Sequence, residues 1–192
     1  MSLPEAPAAR HAVVAGEFSR LVDATPDWSA PAPVDGWTAR DVVEHLVTWF
    51  PGFLAAGGVE IAAGPSTLDD PAGAWRHLAD AVQALITDRG DEDFTHPYVG
   101  THPLAQAVDR FYTSDVFMHS WDLARAGGQQ ADLDEDFAGE LLGGMSQIED
   151  MLRSSGQYGA AVPVAADAPV VDRLMGFVGR DPAWRPGEGG AR

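Results

Sequence analysis

Apolar residues recur in steps of three and four along most of the chain, and each such run predicts an amphipathic helix. Val14, Phe18, Leu21 and Val22 define the first, over residues 8–25, closed by Thr25-Pro26-Asp27. After a Pro-rich connection, Thr38 caps a second helix, and Asp41 stands where it can complete a capping box. Val42, His45, Leu46, Trp49 and Phe53 share its apolar face, and Pro51 should kink or end it. Residues 57–71 read as a loop. Trp75, Leu78, Val82, Leu85 and Ile86 mark a third helix over 71–89. Residues 90–102 read as irregular or a short hairpin, because Pro97 and Gly100 interrupt the strand-like Phe94, Tyr98 and Val99. A fourth helix covers 103–126 and stops at Gly127-Gly128. A fifth covers 134–154, with Phe137, Leu141, Leu142, Met145, Ile148 and Leu152 apolar, and a short last helix covers 170–178. Residues 185–192, rich in Pro and Gly, are expected to be a disordered tail. Four long amphipathic helices and little strand predict an all-α helical bundle in a single domain over residues 1–184.

The fourth helix breaks its own pattern. Its seam runs Leu104, Val108, Phe111, and the same stepping then lands on Asp115, His119 and Asp122. Ionisable side chains therefore occupy the face that should be buried, which is costly unless they are paired or bind a metal. Asp115 and His119 are four apart, so their side chains meet across one helical turn. They form either a two-ligand metal clip or a buried ion pair. His45 is likewise a histidine on an apolar stripe, read either as a core residue bonded to a backbone carbonyl or as a third ligand. Asp122 has three readings: it holds a ligand imidazole in its tautomer, acts as a general acid or base, or pairs with Arg125. His11, at a helix start, is expected to be exposed, and His77, His96 and His102 to lie on the surface or in loops.

Composition narrows the chemistry. The chain has 192 residues and a net charge of −17, with an isoelectric point near 4.4. Nucleic acid and anionic membrane are therefore not expected as partners. No apolar run approaches the ~18 residues of a membrane helix. The first ten residues carry no apolar signal core, so a cytoplasmic location is expected. There is no cysteine. Any metal must be held by His, Asp or Glu, and any reacting thiol must come from a cosubstrate.

Two stretches resemble a known family. Gly36-Trp37-Thr38-Ala39-Arg40-Asp41-Val42-Val43-Glu44-His45-Leu46 resembles the first metal motif of the DinB/YfiT-like superfamily. It is closest to that of the mycothiol-dependent maleylpyruvate isomerase metal-binding domain. His119-Ser120-Trp121-Asp122-Leu123-Ala124-Arg125-Ala126 resembles the second motif of that group, and residues 162–184 resemble its actinobacterial members. The resemblance implies a four-helix up-down-down-up bundle, here with a short extra C-terminal helix. It also implies a divalent metal, zinc or nickel, held by His45, Asp115 and His119, with Asp122 matching a functional aspartate. Where the group more often has Glu, this chain has Asp115. The isomerase itself carries a further C-terminal domain with a functional arginine, which argues against maleylpyruvate as the substrate here.

The expected function is a metal-dependent enzyme that uses a low-molecular-weight thiol such as mycothiol for transfer or isomerisation of a small molecule. The alternatives are a metal-dependent hydrolase and a non-catalytic metal-binding or dimerisation module, with a homodimer as the possible assembly.

Overall fold

The computed structural model describes residues 2–154, 156 and 158–187. Residues 188–192 of the expected tail lie outside the described residues. The elements in chain order are α1 (Pro7–Asp23), α2 (Ala39–Ala56), α3 (Pro71–Arg89), β1 (Asp93–His96), β2 (Gly100–Pro103) and α4 (Leu104–Ala107). A π-helical turn (Val108–Thr113) joins α4 without a break to α5 (Ser114–Ala126). Then come α6 (Glu135–Ser146), α7 (Glu149–Ser154) and α8 (Val170–Phe177).

The start signals act as written. Thr38 accepts from the Asp41 backbone N–H, while Asp41 Oδ2 accepts from the Thr38 N–H at 2.7 Å, closing the capping box of α2. Asp70 and Asp134 cap α3 and α6 through the backbone N–H groups of Gly73 and Phe137. At the end of α5, Gly128 turns left-handed (φ 65°), so Gln129 N–H reaches back to the Ala124 carbonyl and satisfies the last turn.

α1 packs against α3 and α5, and α2 packs against the same two helices. Phe18, Leu21, Leu46, Phe50, Trp75, Val82 and Tyr112 are fully buried between them. Phe18 meets Trp75 at 4.4 Å between ring centroids, and Phe50 stacks on Tyr112 at 3.9 Å.

Several expectations need correction. The chain is mostly helical but not purely so: β1 and β2 form an antiparallel hairpin that turns Phe94 and His96 inward, with Phe94 against Phe53. His96 is thus buried instead of lying on the surface. Of the two effects expected of Pro51, a kink or an end, the end does not occur, since α2 runs on to Ala56. Fully buried Phe50 and Leu54 hold that last stretch, and tertiary packing outweighs the lost backbone bond. The helix expected over 134–154 is two helices, α6 and α7, parted by a turn at Gln147-Ile148, where Ile148 is 37% exposed. His11 is fully buried, since α1 lies with that residue against the π turn.

Candidate metal centre

α2 and α5 pack side by side, and each brings a histidine to their shared edge. α2 buries Val42, Leu46 and Phe50, which leaves His45 and Trp49 half-buried on the flank. α5 is almost wholly buried and carries Asp115 and His119 one turn apart. His45, Asp115 and His119 each offer one ligand atom, and these atoms all lie within 4.8 Å of one another. His45 Nε2 is 3.2 Å from Asp115 Oδ2, and His119 Nε2 is 3.5 Å from Asp115 Oδ1. The two imidazoles meet edge to face, with ring centroids 4.7 Å apart. The three side chains singled out by the sequence thus converge on one point. Neither His45 nor Asp115 is closed off: their side chains are 32% and 18% exposed.

A surrounding shell fixes this geometry. Asp122 is fully buried, and its Oδ2 lies 2.9 Å from His119 Nδ1. The ionised carboxylate can only accept, so Nδ1 carries the proton, which leaves the Nε2 lone pair facing Asp115. That arrangement sets a lone pair against a carboxylate oxygen. Either a second proton on His119 or a cation between the two groups relieves it, and a divalent metal fits the donor set of two imidazoles and one carboxylate.

Burial pushes the Asp122 carboxyl up, but His119 and Arg180 more than offset it, and it sits below the usual carboxylate range. Arg180 supplies two bonds, Nε to Oδ1 at 3.3 Å and Nη2 to Oδ2 at 3.0 Å. Burial likewise pushes Asp115 up, and the two histidines and Trp49 more than reverse it. The Trp49 indole N–H donates to Asp115 Oδ2 at 3.0 Å. Trp37 stacks on His119 at 5.8 Å and touches the His45 ring at 5.2 Å, walling one side. The Tyr158 hydroxyl, largely desolvated, is raised by burial first and by the Asp115 charge second, which brings it into the field of the site.

The sequence missed part of this shell. Trp37 stood within the first motif but carried no ligand chemistry of its own, while Trp49, an aromatic of the apolar stripe beside His45, lines the site through its indole N–H. Arg180 is 58 residues from Asp122, and no helical period connects the two. Of the three readings of Asp122, the pair with Arg125 does not form among the described residues; Arg125 lies instead over the Trp121 ring at 4.9 Å.

Residues 11–124 match the model of the mycothiol maleylpyruvate isomerase N-terminal domain, and the chain belongs to that family. Uncharacterised proteins from two strains of Mycobacterium tuberculosis are each 30% identical over 154 residues, covering 78% of this chain and 83% of theirs. No solved structure matches. Among the described residues, no helix is long and apolar enough to cross a membrane.

Proposed function

We propose that this protein is a metal- and thiol-dependent enzyme, built as an up-down-down-up four-helix bundle of α1, α2, α3 and α5. His45, Asp115 and His119 hold a divalent cation, zinc or nickel. The observation that carries this reading is the convergence of three N and O ligand atoms within 4.8 Å beside an open flank. When bound, such a cation lowers the pKa of a coordinated thiol and makes the thiolate available near neutral pH.

The chain's own residues do the rest. Asp122 fixes the His119 tautomer so that Nε2 is the ligating atom. Arg180 keeps Asp122 ionised and in place. Trp49 anchors one oxygen of Asp115 and so orients its carboxylate. Trp37 covers both imidazoles and excludes water from that side. With Asp115 and Asp122 ionised and Arg180 charged, the centre carries one net negative charge, which suits a dication. The family's name points to mycothiol, and because the chain has no cysteine the reacting thiol arrives as a cosubstrate.

Calorimetric titration of zinc-loaded protein with mycothiol and with simple thiols tests this reading. Thiol binding that disappears on chelation is the expected result. Zinc binding without any thiol binding would favour metal-dependent hydrolysis in its place.

A further inference from the structure

The π turn stands directly before the metal-binding segment, and α1 grips it at two points. Arg10 Nη1 donates to Asp109 Oδ2 at 2.8 Å. The next residue, His11, is fully buried and places Nδ1 3.0 Å from Thr113 Oγ1. Two adjacent residues of α1 thus hold positions near both ends of the six-residue turn. Both contacts are sheltered, with Arg10 and Asp109 side chains only 16% and 17% exposed.

The turn sets the rotation of everything after it. A regular α-helix advances about 100° per residue. A π turn absorbs one additional residue, so the segment beyond it is rotated by about that angle relative to an unbroken helix. Leu104 before the turn and Val108 at its start face the core, and Tyr112, Thr113 and Ser114 are then buried in succession. In an unbroken α-helix Asp115 and His119 would follow Leu104 and Val108 along one seam; the π turn rotates them by about 100° away from that line, to the flank where they meet His45.

We infer that Arg10 and His11 are positioning residues for the metal centre: by gripping Asp109 and Thr113 they hold the π turn, and so set the rotation at which α5 presents Asp115 and His119 to His45. This rests on the metal reading above. Neither residue touches the ligands. Their effect passes through the backbone between residues 109 and 115.

The test measures zinc affinity by competition with a chromophoric chelator, with folding checked by circular dichroism. His11→Phe and Thr113→Val each remove the buried contact and should weaken zinc binding by about tenfold or more, as loss of outer supporting contacts does elsewhere. Thr113→Val is nearly isosteric and keeps the test alive should His11→Phe not fold. His11→Asn, whose amide can stand in for Nδ1, should bind nearly as wild type does. Deleting exposed Arg110 in the His11→Phe background removes the extra residue, lets the helix run as regular α, and should restore zinc binding. A merely structural role for His11 would not produce that rescue. Wild-type affinity in folded His11→Phe and Thr113→Val, or failure of the deletion to rescue, would overturn this inference alone. No zinc binding by the wild-type protein would remove the metal reading and this inference together.

Discussion

The stretch from α1 to α5 and the stretch from α6 to α8 carry equally plain amphipathic patterns, yet they pack differently. In the first, α1, α2, α3 and α5 bury full stripes against one another, and the family match over residues 11–124 falls within it. In the second, α6 buries Phe137 and Ala138, α7 buries nothing, and α8 buries Leu174, Met175 and Gly176. Periodicity says that a helix has an apolar face; whether another element exists to cover it depends on the whole chain. In the later stretch α6 and α8 cover each other, and the segment after α8 carries Arg180 back to Asp122.

The sharpest way to break the comparison is a pair of core truncations. Phe50→Ala removes a fully buried ring stacked on Tyr112 and should cost about 3–5 kcal/mol. Met151→Ala in α7 should change stability by less than about 0.5 kcal/mol. Denaturant melts on both variants read the difference, and similar losses would contradict the exposed position of Met151.

Two arginines of the later stretch come next. Arg180→Ala leaves the Asp122 carboxylate buried without its cation and should cost about 3 kcal/mol, in the range for breaking a buried pair. Arg153 pairs with half-exposed Glu149, and Glu149→Gln should cost no more than about 1 kcal/mol. Equal costs would contradict the view that Arg180 alone of these two serves the site.

The third effect depends on pH and belongs to the earlier stretch. Burial pulls the His11 imidazole down from 6.5 to about 4. Below pH 6.5 the unfolded chain therefore binds a proton that the folded chain refuses, so stability falls as pH drops towards 4 and is fully present above 6.5. The loss is up to about 3 kcal/mol, from a shift of this size. Asp115 and Asp122, both held below the usual carboxylate range, add a further loss in more acid solution. Melting curves of wild type and His11→Asn from pH 7 to pH 4 should diverge, with the wild type losing more. Parallel curves would show that His11 titrates as an ordinary histidine.

How legible was all this in the sequence? The helices over residues 7–23 and 71–89 and the start of the one at Ala39 were readable to within a residue or two, because caps and stripes agree there, whereas Pro51 obscured the run of the second on to Ala56. Asp115 and His119 were readable as a pair from their four-residue spacing within one helix, and His45 as their companion from the resemblance of its motif, whereas the seam that led from Leu104 to Asp115 crosses the π turn and is not continuous. The π turn was not readable, since its six residues keep an ordinary helical composition and the extra residue shows only in the backbone. Arg180 and buried His11 were not readable either. Each owes its place to a contact about sixty or a hundred residues away, with Asp122 and with Thr113.

The central claim is that His45, Asp115 and His119 hold a metal, and zinc content of purified Asp115→Ala beside wild type and Asp115→Glu tests it most directly. The account predicts one zinc per wild-type chain, loss of zinc in Asp115→Ala, and retention in Asp115→Glu, which restores a longer carboxylate. It also predicts that the chelated wild-type protein melts at a lower temperature but remains folded, because its core stands without metal. Zinc at the wild-type level in Asp115→Ala would strike Asp115 from the ligand set, and no zinc in any of the three proteins would contradict the account outright.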